Sequence, residues 1–166
     1  MLQSYWGQGR IALQDVDPGP LKAGWVRLKV AACGICGSDL HRYKRSSGVT
    51  PGQGTPGHEL VGTVMEADVS LGDSLYAVEP WVSCRECDFC LSGKRQFCRK
   101  GYLVGVQIAG GLSEFVDVPL ESLHPIDPSV ETLQASLSEP TAVCTRAIHH
   151  ARLQLDNRVL ILGGGT

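Results

Sequence analysis

Apolar and polar positions alternate most cleanly over residues 25–32, where Val26, Leu28 and Val30 face one way and Arg27 and Lys29 the other. That period of two predicts a half-buried strand. Similar short strands are predicted near 60–66, 75–79, 103–108 and 114–118, with Gly, Pro, Asn or Asp punctuating the gaps. Strands this short and this regularly spaced imply a small barrel or sandwich. Near residue 129 the pattern changes. Ser129 can cap a short helix whose apolar residues are Val130, Leu133 and Leu137. A second helix is predicted from Ser138, with Pro140 in its first turn, where a missing N–H costs little. Its apolar face would carry Val143, Ala147, Ile148 and Ala151. Val159-Leu160-Ile161-Leu162 is apolar on both faces, as in a buried parallel strand, and runs into Gly163-Gly164-Gly165-Thr166. A buried strand feeding a glycine turn is how a dinucleotide-binding unit begins, and Gly163 and Gly165 fit the first two glycines of G-x-G-x-x-G. The third would lie beyond residue 166, so the sequence is expected to be a portion of a longer protein.

Composition narrows the class. Hydrophobic residues at 43% and charged residues at 19% are globular proportions and exclude wholesale disorder. Fifteen basic against seventeen acidic residues leave a net charge of −2, which gives no support to a polyanion-binding surface. The apolar runs are only a few residues long, too short for a membrane span, and the N-terminal segment lacks the charged lead and apolar core of a signal peptide. Twenty glycines without a three-residue period fit a turn-rich β protein in which several backbone positions exclude a side chain.

Cysteine changes the picture most. Seven cysteines, an odd number with no secretion signal, argue against a disulfide framework and for a reducing, cytoplasmic setting. Cys84, Cys87, Cys90 and Cys98 crowd into one short stretch. The two-residue gaps let neighbouring sulfurs converge on one ion, and the longer gap loops the chain back with the fourth, so the set can close a tetrahedral zinc shell. Such a shell has no open position and serves stability rather than catalysis. Arg85, Lys94, Arg95, Arg99 and Lys100 beside it are expected to be solvated. A second constellation joins Cys36-Gly37-Ser38-Asp39-Leu40-His41 to Gly57-His58-Glu59-Leu60-Val61-Gly62. One thiolate, one imidazole and one carboxylate are the ligand types of a catalytic zinc, whose fourth position stays open. Cys33, at the end of a strand with no βαβ context, reads as a small buried residue, and Cys144 as a packing residue on the second helix.

Taken in order, Gly34-Ile-Cys36-Gly-Ser-Asp-Leu-His41, Gly57-His-Glu-Leu-Val-Gly62, the four clustered cysteines and Gly110-Gly-Leu-Ser-Glu-Phe115 resemble the zinc-dependent medium-chain alcohol and polyol dehydrogenases. The similarity runs on through Val159 to Gly165 and so covers nearly the whole chain. It implies a mainly β fold: a GroES-like small β-barrel with a zinc lobe over residues 1–137. The first elements of a truncated α/β Rossmann domain would follow over 138–166.

By position, the resemblance makes Cys36 and His58 catalytic zinc ligands. Glu139, in Ser-Glu-Pro, matches the carboxylate ligand of polyol-type members, with Glu59 the alternate. Asp39 resembles the carboxylate that orients the ligand histidine, and Ser38 and His41 resemble the proton relay. Gly163 and Gly165 would meet the dinucleotide, NAD or NADP. Two zinc ions, one catalytic and one structural, complete the set. Position 37 is glycine where some alcohol-type members carry a phosphate-contacting arginine, and Arg42, Lys44 and Arg45 nearby are read as solvated loop cations.

The implied reaction is reversible oxidation of a secondary alcohol or polyol to the ketone. The partner would be that small molecule, with neither nucleic acid nor membrane involved, and the full-length protein would be a homo-oligomer. The shorter piece is not expected to turn over by itself. The rival class is a zinc-stabilised binding module or a non-catalytic paralogue, and a nucleic-acid module explains neither His58-Glu59 nor the terminal glycine turn.

Overall fold

The computed structural model describes residues 1–44 and 55–164. The alternating segment forms β3 (Trp25–Gly34), an inner strand of a five-stranded antiparallel sheet. The other strands are β4 (Glu59–Ala67), β5 (Leu75–Val78), β8 (Phe115–Pro119) and β9 (Leu123–Pro125), in the order β8-β3-β4-β5-β9. One face buries Val26, Leu28, Leu60, Val78, Val104, Val116 and Val118 in a single cluster. The other buries Val61 and Ala77 against Ala135. Arg27, opposite Val26 and Leu28, sets its guanidinium across Asp117 of β8 at 2.8 and 2.9 Å and reaches Glu66 of β4 at 3.1 Å. Arg27 of this inner strand therefore ties three strands together.

Two ribbons flank this sheet. β1 (Leu2–Gly7) and β2 (Arg10–Asp15) form a hairpin, and β6 (Trp81–Val82) pairs with β7 (Tyr102–Leu103). The helices are α1 (Gly37–Lys44), α2 (Asp88–Leu91), α3 (Thr132–Ala135) and α4 (Ser138–Ala151). Helix α1 was not expected, and it places Arg42 and Lys44 on a helix rather than a loop.

Several expectations need correction. The strand near 103–108 stops at Leu103, because the chain turns at Gly105, whose φ is +77°. Ser129 does not cap a helix: its amide and hydroxyl both donate to Asp127 Oδ1, at 2.9 and 2.6 Å, in a local turn. Helix α3 starts later and buries Ala135, leaving Leu133 exposed. Helix α4 begins at Ser138 with Pro140 in its first turn as expected, but Val143 and Ile148 are exposed. Cys144, expected to pack, is exposed with them.

Residues 159–162 form no strand and are exposed. An element apolar on both faces needs a strand on its flank and layers above and below. Every strand pairing among the described residues is antiparallel and lies elsewhere, so the Rossmann elements are not formed here. Among the described residues no helix is long and apolar enough to cross a membrane.

Candidate metal centres and a neighbouring cavity

Cys36 and His58 are far apart in sequence, yet β3 and β4 bring them together. The two strands pair antiparallel, with Gly34 opposite Glu59 at the end of the ladder. Cys36 lies two residues past Gly34, and His58 lies immediately before Glu59. Register shifts between Arg27 and Leu28 and between Val30 and Ala32 bend the strand and fix which residues meet. One ligand atom from each of Cys36, His58 and Glu59 then lies within 4.8 Å of the others.

The absent side chain at Gly34 makes this possible. A Cβ there would run into the Glu59 carboxylate. Sequence reading did not single out Gly34, although a glycine ending an otherwise bulky strand was the available signal. Gly34→Ala is expected either to cost about 1–3 kcal/mol or to expel the carboxylate. A variant with unchanged thermal unfolding and unchanged metal content would refute the role of Gly34 as its seat. Gly57, at φ +100°, carries a similar constraint, since a Cβ there would meet Cys33 Sγ and the Leu112 amide.

Asp39 joins the two segments from α1. Its carboxylate accepts the Cys36 amide at 2.9 Å and faces the Gly57 amide at 3.4 Å, and the residue is 3% exposed. His58 Nδ1 lies 3.9 Å from Asp39 Oδ1 and is buried without a hydrogen-bond partner. A buried polar atom left this way costs about 1–3 kcal/mol. Metal binding at the imidazole together with closure of the Asp39 contact would remove that cost, because ligating histidines hold a carboxylate or carbonyl with their other nitrogen.

Glu139, at the start of α4, stands outside the group of three but within its electrostatic reach. Burial raises its carboxyl pKa, His58 opposes the rise and Glu59 adds to it. Cys33 packs against the core, and burial, then Asp39 and Glu59, push its thiol up to about 12. It is not grouped with the ligand-type side chains.

Ser38 and His41 are exposed on α1 and line a cavity of about 350 Å³ with Asp39, Arg42, Gly105 and Val106. Gly163 lies in irregular, exposed chain at φ +106°, and Gly165 and Arg45 lie outside the described residues.

The four clustered cysteines also converge. Cys87 Sγ lies 3.5 Å from Cys90 Sγ and 4.0 Å from Cys98 Sγ, and Cys84 Sγ lies 3.9 Å from Cys90 Sγ. A zinc ion with bonds of about 2.3 Å sets tetrahedral sulfur–sulfur edges of roughly 3.8 Å, whereas a disulfide holds its sulfurs at about 2.05 Å. The spacing suits a structural zinc. The Cys90 amide, foremost, draws the Cys87 thiol down to about 6, and the Cys84 amide lowers that of Cys98. Burial pushes Cys90 up to about 11, with the Cys87 and Cys98 thiols adding to the rise. Four of the five cations expected to be merely solvated also make ion pairs: Arg85 with Glu121, Arg95 with Glu79, Arg99 with Asp88 and Lys100 with Glu86.

A mainly β domain with a four-thiolate lobe and a Cys/His/carboxylate cluster at adjacent strand ends defines a class, and comparison identifies it. Residues 22–128 match the family described as alcohol dehydrogenase GroES-like domain. The chain belongs to the zinc-type medium-chain alcohol and polyol dehydrogenase family. It is 32% identical over 143 residues to L-galactonate-5-dehydrogenase of Escherichia coli K12, covering 83% of this chain and 42% of that one. It is 31% identical over 173 residues to sorbitol dehydrogenase of Halalkalibacterium halodurans, covering 99% and 49%. The rspB alcohol dehydrogenase of Escherichia coli CFT073, solved in complex with NADH, superposes with a TM-score of 0.80 at 28% identity, over 91% of this chain and 46% of that one. The chain thus spans about half the length of the curated relatives it matches.

Proposed function

We propose that this chain is the catalytic-domain portion of a zinc-dependent, NAD(P)-linked dehydrogenase that reversibly oxidises a secondary alcohol or polyol to the ketone. The observation that carries the reading is the convergence of Cys36, His58 and Glu59 at the end of the β3–β4 ladder. The names of the relatives, a sugar-acid and a polyol dehydrogenase, favour a polyhydroxylated substrate. The same reading divides the chain into a catalytic domain over 1–137 and the entry to a dinucleotide-binding domain over 138–166, where Gly163 and Gly165 would approach the cofactor. It also places the protein in the cytoplasm and makes its full-length form a homo-oligomer.

Cys36, His58 and a carboxylate from Glu59 or Glu139 would hold zinc, and Cys84, Cys87, Cys90 and Cys98 a second, structural ion. The catalytic ion would supply the Lewis acidity that lowers the pKa of the substrate alcohol. A nicotinamide dinucleotide would accept the hydride. The Ser38 hydroxyl takes up the alcohol proton and hands it to His41, which stands exposed on the next turn of α1 and releases it to water. Asp39 binds no substrate in this scheme. Through the Cys36 and Gly57 amides it holds both ligand-bearing segments in place, and it faces the His58 ring.

The test is turnover of the zinc-loaded full-length protein with a panel of polyols and sugar acids and either dinucleotide, followed by the reduced nicotinamide. Reduction with at least one polyol is expected. No turnover with zinc present at both sites would sink the function. Zinc content of Glu59→Gln and Glu139→Gln separates the two carboxylates. Glu59→Gln is expected to lose the catalytic ion, because Glu59 is the carboxylate already grouped with Cys36 and His58.

A further inference from the structure

Arg42 follows His41 in the last turn of α1, where a cation is favoured by the helix dipole without any further partner. Its guanidinium nevertheless reaches across to another part of the chain. Nη1 donates to the Gly105 carbonyl at 2.9 Å and Nη2 to the Val106 carbonyl at 2.8 Å. Two successive carbonyls bound by one planar fork make a clamp, which a flexible ammonium would not reproduce.

The clamped turn is no ordinary surface loop. Gly105 sits at φ +77° and presses so closely on Gly57 that a Cβ would lie 2.6 Å from the Gly57 carbonyl oxygen. Val104 beside it is fully buried. Gly57 immediately precedes His58. On its other side α1 is fixed by Tyr43, whose carbonyl accepts the Gly9 amide at 2.7 Å and whose ring meets Trp6 edge-on at 6.2 Å between centroids. Consecutive residues thus anchor α1 to two different parts of the domain, and Ser38, His41, Arg42, Gly105 and Val106 line one cavity.

We propose that Arg42 is a positioning residue for the dehydrogenase reaction, clamping α1 to the 105–106 turn so that Ser38 and His41 are held in register with the segment carrying His58. The inference rests on the function proposed above and goes beyond it by assigning a role to a residue that binds neither metal nor substrate there. A misplacement of catalytic groups by about 1 Å can cost about 100-fold. Arg42→Ala in the zinc-loaded full-length protein is therefore expected to lower kcat by about 10- to 100-fold, with KM and zinc content little changed.

Three further readouts separate positioning from general stability. The amides of Gly105, Val106 and Gln107 exchange faster with deuterium in the variant. Guanidinium ion at non-denaturing concentration restores part of kcat to Arg42→Ala, and ammonium ion does not. Arg42→Lys, which keeps the charge but loses the fork, stays below wild type. Wild-type kcat in Arg42→Lys, or unchanged kcat in Arg42→Ala, overturns the clamp, as does the failure of guanidinium to restore a folded Arg42→Ala. Should Arg42→Ala not fold, Arg42→Lys decides by the same kcat comparison. No turnover in wild type would remove the proposed function and this inference together. Turnover in wild type that Arg42→Ala matches would remove the inference alone.

Discussion

Replacing Cys36 with alanine in the full-length protein is expected to lower its zinc content from two ions per chain, one for each cluster of ligand-type side chains, to one. Turnover should fall by about 1,000-fold or more, since loss of several kcal/mol of charge stabilisation costs a factor of ten for each 1.36 kcal/mol. The thiolate supplies the one soft, charged ligand of the group, and the imidazole and carboxylate that remain are too few to hold zinc against water. The fold should survive. Cys36 lies beyond the end of β3, outside both buried clusters, and its main structural bond, the amide to Asp39 at 2.9 Å, comes from the backbone and does not need the sulfur. Elemental analysis with an unfolding curve checks both halves. Two zinc ions retained in Cys36→Ala would show that Cys36 is not a ligand, and an unfolded variant would show that the residue is structural.

How far this site could be read from sequence depends on which physical cue each element leaves. β3 is legible because Val26 and Leu28 are fully buried on one side while Arg27 points the other way to Asp117 and Glu66. The hairpin is not legible, because burial does not follow polarity: Tyr5 and Trp6 are buried, but so are the polar residues beside them. Gln3 and Ser4 are buried in β1, Gln3 accepting from the Tyr5 and Thr55 hydroxyls and Ser4 donating to the Leu112 carbonyl. Ile11 and Leu13 of β2 are exposed. Its turn, Gln8-Gly9 with φ of 54° and 68°, takes a type I′ shape without the usual asparagine or aspartate cue.

Helix α1 escapes for a related reason. Among its eight residues only Leu40 and Tyr43 are large and apolar or aromatic, and Leu40 is half exposed, so no stripe of period 3.6 exists. Asp39 capturing the Cys36 amide and Arg42 reaching another loop hold it instead. The pairing of Glu59 with Gly34 follows from a register that two irregularities in the ladder set, and no local pattern announces it. The four-cysteine lobe is the opposite case: its chemistry is written in the spacing alone. The Val159–Leu162 segment shows the limit of pattern reading, since a period can say which neighbours an element needs but not supply them.

Cys98→Ser is expected to loosen the whole 84–100 lobe while leaving the catalytic ion in place. The lobe has little else to hold it. Its helix α2 is four residues long, and its apolar contacts are shallow: Phe97 meets Phe89 at 6.0 Å between ring centroids, but Leu91 and Phe97 are 77% and 59% exposed. Its surface ion pairs, Arg99 with Asp88 and Lys100 with Glu86, are solvated on both sides and contribute little. It is tied to the domain by two half-exposed ion pairs, Arg85 with Glu121 and Arg95 with Glu79, and by Trp81, whose indole donates to the Arg95 carbonyl at 2.8 Å and whose ring packs where a Cβ on Gly101 would sit. Structural zinc contributes roughly 10–16 kcal/mol of apparent binding free energy in small domains, so one ligand of four is worth about 3 kcal/mol. At about 2–4 °C per kcal/mol, that loss lowers Tm by about 6–12 °C. Trypsin reads the local effect directly, because Arg85, Lys94, Arg95, Arg99 and Lys100 all lie in the lobe. Rapid cleavage there, a structural ion bound roughly 150-fold more weakly and the Cys36 ion retained is the expected result. A Cys98→Ser protein with wild-type Tm and an uncut lobe would mean that the four thiols do not hold the lobe through a shared ion.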